Sequence, residues 1–169
     1  MRKVIARPLC PVANPPDNMR IWGMKTRQIL RLNKDQLPEF IALATNLEQT
    51  PGFNWSSMQI QSELEISQAW GLWSDGALRS FVLWREGLDA FEVMALGTDL
   101  LWRRQGTMRE LLGHLIAHCQ KSIWLEVHEA NEPAIKLYHD LGFQPTGLRK
   151  NYYSDGASAV LMSFLRKDF

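Results

Sequence analysis

The sequence has little cysteine, no long apolar run and almost no net charge. Cys10 and Cys119 are its two cysteines among 169 residues, and neither belongs to a Cys-x-x-Cys pair. A disulfide framework is therefore not expected, nor a thiolate metal site. No metal is expected at all, and the setting read from cysteine use is reduced and cytoplasmic. No apolar run approaches the ~20 residues that span a bilayer. Near the N-terminus Val4–Ala6 follows the basic Arg2 and Lys3, but Arg7 and Pro8 break it at once, which argues against an export signal. With 19 Lys and Arg against 18 Asp and Glu the formal charge is +1. No broad field is available to draw in DNA or an acidic membrane, and neither is expected as a partner.

What is present is ordinary globular material, 46% apolar and 22% charged, in a length that suits one domain. Pro8, Pro11, Pro15 and Pro16 crowd an aperiodic opening in which Met19 and Met24 are alternative starts. Residues 1–26 therefore read as an irregular extension and residues 27–169 as the domain.

Beyond the extension the hydrophobic period decides. Gln28–Leu32 alternates as a strand, Asp35–Leu47 carries Leu37, Phe40, Ile41 and Ala44 at helical spacing, and Met58–Leu64 is a second helix. Ile66–Trp73 and Leu78–Trp84 read as a hairpin around Ser74-Asp75-Gly76, with Phe91–Leu96 the next strand. The second half alternates. A helix after Gly106 sets Leu111, Leu112, Leu115, Ile116 and Cys119 on one stripe, and the strand Ser122–Val127 follows. The helix Pro133–Leu141 ends at Gly142, before strands Phe143–Arg149 and Ala159–Leu165. Strand–helix–strand in the middle predicts an α/β (α+β) domain: a largely antiparallel mixed sheet with a central parallel pair, flanked by helices.

Four features carry chemistry. Arg103-Arg104-Gln105-Gly106-Thr107-Met108-Arg109 lies between a strand and a helix start. A glycine there turns backbone N–H groups outward and the helix N-terminus adds partial positive charge, a seat for a pyrophosphate; alone, the segment also fits a solvated turn. Glu126 lies inside Ile123-Trp124-Leu125-Glu126-Val127, a strand expected to be buried on both faces. A carboxylate there is costly unless paired, hydrated or used, and a strand-end charge reaching water is the plain alternative. Asn131 is placed to cap the helix that follows. Tyr138 shares a helical face with Ala134, Leu137 and Leu141 and so points inward, where packing is the commoner role and a hydroxyl needs a partner.

The order of these segments says more than any one of them. Gln105-Gly106-Thr107-Met108-Arg109 after a strand, then Trp124-Leu125-Glu126-Val127-His128-Glu129-Ala130-Asn131, Ala134–Phe143 and Arg149-Lys150-Asn151-Tyr152-Tyr153-Ser154-Asp155-Gly156 resemble the GNAT superfamily of N-acetyltransferases. More narrowly they resemble its RimI-type ribosomal-protein-alanine branch. The resemblance runs from Arg27 to Phe164 and is strongest from Trp102 to Met162; Phe53-Asn54-Trp55-Ser56 also resembles the Phe-Pro-Trp-Ser loop before that family's second helix.

The resemblance implies a GNAT fold in which the parallel strands splay apart, with acetyl-CoA as cosubstrate. It implies that Leu96, Gly97 and Thr98 bond the pantetheine arm through backbone groups. Arg104, Gln105, Gly106, Thr107, Met108 and Arg109 would hold the pyrophosphate, and Asn131 would touch the cofactor further along. Glu126 matches the family's general base, acting through water on the incoming ammonium, and Tyr138 the general acid for the departing thiolate. Phe53, Trp55, Arg149, Tyr152 and Tyr153 match the acceptor groove. The expected partner is thus a protein N-terminus, such as that of a ribosomal protein beginning with Ala, and the expected state is a monomer or weak dimer. Met108 departs from the family's Gly or Ala, which predicts crowding of the phosphates and weaker cofactor binding, the competing placement being in the core beneath the loop. Two other readings stay open: a GNAT enzyme acting on a lysine side chain or small amine, and a non-catalytic acyl-CoA sensor.

Overall fold

The structure, a computed structural model, describes residues 26–47, 50, 53 and 55–166. The extension expected over residues 1–26 therefore lies outside the described residues except for Thr26, and so does Asn54. In chain order the elements are β1 (Arg27–Arg31), a 3-10 turn (Lys34–Gln36), α1 (Leu37–Thr45), α2 (Ser57–Ile66), β2 (Gln68–Ser74), β3 (Ala77–Glu86) and β4 (Ala90–Thr98). A second 3-10 turn (Leu100–Trp102) leads to α3 (Thr107–His118), β5 (Ser122–His128), α4 (Glu132–Asp140), β6 (Gln144–Arg149) and β7 (Ala159–Phe164). The strands make one seven-stranded sheet in the order β1-β2-β3-β4-β5-β7-β6. Every neighbouring pair is antiparallel except β4–β5, the parallel pair expected from the strand–helix–strand pattern.

Local chemistry explains the boundaries. Asp75 (φ 54°) and Gly76 (φ 73°) are both left-handed, the conformation a two-residue hairpin needs to match the sheet twist. The helix expected from Asp35 begins instead as a 3-10 turn capped by Asn33 and Gln36, and α1 proper starts at Leu37, with Pro38 in a first turn that needs no N–H from it. The helix α2 continues to Ile66, so the strand expected from that residue starts at Gln68. Its far end is held to β3 by Glu63, whose side chain is 8% exposed. That carboxylate accepts from Arg85 Nε at 2.8 Å, from Arg85 Nη2 at 2.6 Å and from Ser67.

Each face of the sheet has its own core. One holds Val82, Trp84, Leu111, Leu112, Leu115, Ile123, Leu125, Val127 and Phe143, beneath α3 and α4. The other holds Phe40, Leu43, Leu47, Phe53, Ile60 and Phe81, beneath α1 and α2. The strand β5 is not buried on both faces as expected. Ile123, Leu125 and Val127 face the first core, whereas Trp124 on the opposite face is 45% exposed. Glu126 shares the face of Trp124 because strand side chains alternate.

Among the described residues, β4 and β5 pair only at Ala90–Ser122, Phe91–Ile123 and Glu92–Trp124. The register of β4 on β3 slips just there, from Leu83–Ala95 to Trp84–Val93, leaving Met94 as an extra residue. Such a bulge bends its strand and increases the local twist. Past it, the two parallel strands part.

Met108 sits in the first turn of α3, 8% exposed, and belongs to the core that holds Leu111 and Leu112. Its bulk is thus taken up chiefly inside the protein, a placement different from the crowding expected of it. Met108→Ala should therefore destabilise the fold by about 2–4 kcal/mol, the range for truncating a buried methionine. Chemical denaturation of the two proteins, compared at equal m-value, measures this.

Candidate functional site

A groove of ≈ 550 Å³ opens where β4 and β5 part, lined by Val93–Thr98 on one side and Leu125–His128 on the other. The backbone groups of β4 that point away from β3 meet no strand there, so this inner edge can accept an added extended segment. Gly97 is required by close packing: a Cβ on it would lie 2.1 Å from Leu47 Cδ1 and 3.0 Å from Phe81 Cε1.

The loop before α3 forms the next part of the wall. Gly106 is the N-cap of α3 at φ +79°, and a Cβ there would meet nothing within 4 Å. The constraint is therefore the left-handed backbone and not space. Having no side chain, Gly106 caps nothing, and the first N–H groups of α3 are left for an outside acceptor, at the positive end of the helix. Arg104 is also left-handed (φ 62°) and lines the groove with Gly106, Thr107, Met108 and Arg109.

Neighbouring elements brace this loop. Arg27 of β1 donates from Nη2 to the Gln105 carbonyl and from Nη1 to Glu110 Oε2, both at 3.0 Å. Gln105 Nε2 turns back to the Leu101 carbonyl at 2.9 Å, so its side chain supports the loop and does not line the groove. The buried Thr107 hydroxyl accepts from Ser80 Oγ at 2.9 Å, and Ser80 Oγ lies 3.0 Å from Thr98 Oγ1. Three hydroxyls thereby join β3, the end of β4 and the start of α3. Arg109 donates to Asp140 Oδ2 of α4 at 2.8 Å, and that hydrogen bond is the main reason the Asp140 carboxyl lies below its usual range. Asn131 lines the groove while its Oδ1 accepts from Ala134 N at 3.3 Å, the capping role its position suggested.

A second cluster joins β5 to the β6–β7 connection. Glu126, 28% exposed, pairs with Arg149 Nη1 at 3.1 Å. The Arg149 guanidinium lies 5.5 Å from the centre of the Tyr152 ring, and Tyr152 meets Tyr153 edge-on at 5.1 Å. Tyr153 in turn lies against His128 at 4.7 Å. His128 Nδ1 accepts from Ala130 N at 3.1 Å, so the ring proton is on Nε2 and is donated to Asp155 Oδ2 at 3.0 Å. Asp155 also accepts from Ala157 N, which with His128 holds its carboxyl below the ordinary range.

The groove thus brings Leu96–Thr98, Glu126, Asn131, Tyr138 and Tyr153 together with the α3 loop. Tyr138 is 3% exposed, as its helical face required. Phe53, 8% exposed, lies 6.2 Å edge-on from Phe81 and is first a core residue, while Trp55 is half-buried beside it on the groove wall. Arg149 and Tyr152 reach the site through Glu126 and do not line the groove. Sequence reasoning missed Arg27, Ser80 and His128. The signal for His128 was present, since it is two residues past Glu126 on the same strand face.

A model of the acetyltransferase (GNAT) family matches residues 31–143. The chain is 34% identical over 129 residues to the ribosomal protein bS18-alanine N-acetyltransferase of Escherichia coli K12, covering 71% of this chain and 87% of that one. It is also 34% identical over 76 residues to an N-alpha-acetyltransferase of Sulfurisphaera tokodaii, covering 45% of this chain and 42% of that one. Among solved structures, the E. coli ribosomal-protein-S18-alanine N-acetyltransferase superposes with a TM-score of 0.75 at 30% identity, over 83% of this chain and 94% of that one. Arabidopsis thaliana NAA60 in complex with acetyl-CoA superposes with a TM-score of 0.71 at 16% identity, over 83% and 98%, a likeness of fold.

The three tyrosines, Tyr138, Tyr152 and Tyr153, all belong to this site. Burial raises each phenol above its ordinary value. Tyr153 is pushed up to about 12, and Glu126 adds to the rise at Tyr152 and Tyr153. A raised phenol disfavours its own anion in the folded state, so stability holds below the unfolded value of ~10 and falls as pH climbs above it. Absorbance at 295 nm should show less phenolate in the native protein at pH ~10 than in the unfolded chain, where a free phenol is half ionised. The rise that follows should track unfolding by circular dichroism.

Proposed function

The chain belongs to the GNAT acetyltransferase family and is an acetyl-CoA-dependent N-acetyltransferase, and we propose that its acceptor is the α-amine of a protein N-terminus, including that of a ribosomal protein with N-terminal alanine. The observation that carries this reading is the Glu126–Arg149–Tyr152 assembly. It sets a carboxylate at the groove and ties it to the β6–β7 connection, in a chain that is 34% identical over 129 residues to the E. coli bS18-alanine enzyme.

The residues present fit acetyl-CoA on two counts: an uncapped, glycine-led helix N-terminus suits a pyrophosphate, and the unpaired inner edge of β4 suits an extended amide-bearing arm. Acetyl-CoA supplies the activated acetyl thioester. In this reading Arg104–Arg109 hold the pyrophosphate, chiefly through backbone N–H groups, with Gln105 acting from behind the loop. Leu96, Gly97 and Thr98 bond the pantetheine arm, and Asn131 borders it. Trp55, Tyr152 and Tyr153 shape the acceptor side, with Phe53 as the packed base of that wall.

Glu126 accepts a proton from the incoming ammonium through water. An α-amine has a pKa of ~7.7–8, so a modest base exposes its lone pair, whereas lysine at ~10.4 offers far less free base at neutral pH. Tyr138 gives its phenolic proton to the departing thiolate. Its burial keeps that proton on the oxygen throughout the neutral range, as an acid requires.

Glu126→Gln and Tyr138→Phe should each lower kcat by ~10²–10⁴ while acetyl-CoA affinity changes little. Folded variants with near wild-type turnover would remove both roles. An Ala-initiated peptide should be acetylated at its α-amine, and its N-terminally blocked, lysine-containing counterpart should not react. Tandem mass spectrometry places the acetyl group, and faster modification of lysine would refute the N-terminal acceptor. Arg27→Met should raise the Kd for CoA by ~5–10-fold, somewhat less than the full value of one charge-assisted hydrogen bond because Arg27 acts through the loop. Adding Glu110→Gln should recover part of the loss, because an unneutralised carboxylate near the pyrophosphate is then removed; calorimetric titration of the two variants measures both effects.

A further inference from the structure

Away from the groove, the last two turns of α3 carry a pair of histidines that the acetyl-transfer site does not use. His114 and His118 are four residues apart, on one face of the helix, with ring centroids 4.0 Å apart and planes inclined by 38°. His118 Nδ1 lies 2.8 Å from the His114 carbonyl oxygen. A carbonyl can only accept, so Nδ1 carries the proton and the lone pair of the neutral ring is on Nε2, on an exposed side chain. This is the outer-shell arrangement that orients histidines bound to metals. Trp70 of β2 stands against both rings, 4.5 Å from His114 and 5.4 Å from His118, with Trp84 4.7 Å behind it.

We propose that His114 and His118 form a binding site for a divalent transition-metal ion of the Zn²⁺, Ni²⁺ or Cu²⁺ class, with Trp70 as its apolar backing. Imidazole nitrogens suit these ions. The site lies at the C-terminal end of α3, where the helix dipole favours a cation. Among the described residues no third His, Cys, Asp or Glu completes a set. The chain therefore supplies two ligands and leaves the remaining positions to water or to a donor from outside. Held by both rings, the ion would bridge successive turns of the helix whose first turn forms the proposed pyrophosphate seat.

The test is titration of the full chain with Ni²⁺ and with Zn²⁺, followed by tryptophan fluorescence and by calorimetry. Saturable, equimolar binding is expected, with quenching by Ni²⁺ and reversal by a chelator. His114→Gln and His118→Gln should each abolish it, whereas His139→Gln, at an exposed histidine on α4, should leave it intact. Trp70→Phe should keep the calorimetric binding and lose most of the quenching, a result that does not depend on altering the helix. Binding unchanged in both histidine variants, or none up to millimolar ion, would overturn the site. Because no readout is catalytic, either result leaves the acceptor assignment untouched.

Discussion

A parallel strand pair that stops pairing in mid-sheet leaves backbone N–H and C=O groups without partners on both inner edges, and the protein is organised around that deficit. Each such group costs free energy if it is buried unpaired, so the gap between β4 and β5 must be wetted or filled. Here it is held open from both sides. The bulge at Met94 bends β4 away two residues after its last pair with β5, and the packing of Gly97 on Leu47 and Phe81 fixes where the bent strand goes. On the other side, the pairing of β5 with β7 from Ile123 to His128 keeps β5 from following. An extended ligand with amide groups would answer both edges at once, which is what the proposed seating of the cofactor's arm asks of the sheet.

The helix that follows the gap is positioned with similar economy. Its N-terminus must face the groove with its N–H groups free, so it cannot be fixed by the usual side-chain cap. The Thr98–Ser80–Thr107 hydroxyl chain, the Arg27 fork on the Gln105 carbonyl and the Arg109–Asp140 pair hold it from behind and from the side. The anion seat is rigid through contacts that do not occupy it.

Much of this was legible in the sequence, for reasons that differ by element. The period of α3 and α4, the Asp75-Gly76 turn and the strand containing Glu126 are local signals, and the order of the segments from Trp102 to Met162 supplied the rest. Ile66 was misread because an isoleucine at the end of an amphipathic helix looks the same as one at the start of a strand. Met108 was expected to crowd the phosphates unless it packed beneath the loop, and its spacing of three, four and seven from Leu111, Leu112 and Leu115 already placed it on the buried stripe. The bulge at Met94 left no trace, because Val93, Met94, Ala95 and Leu96 are apolar whichever way they point. Arg27 could not have been found at all: its partner Gln105 is 78 residues away and is touched through its carbonyl.

The ion pair between Glu126 and Arg149 has a consequence for what can approach the carboxylate. In the acceptor-free protein that oxygen already has a cation 3.1 Å away, on a side chain that is 55% exposed and free to swing outward. If Glu126 receives the acceptor amine as proposed, an arriving ammonium would not add a positive charge beside it but replace one, leaving the net charge of the pocket the same before and after. Little new charge has to be taken out of water, because the guanidinium returns to solvent as the ammonium leaves it. A neutral or anionic chain end has no such exchange to offer and would have to compete with the guanidinium while leaving the carboxylate paired. On the proposed role of Glu126, selection for a charged amine would thus begin as ion exchange at one carboxylate, before any proton moves.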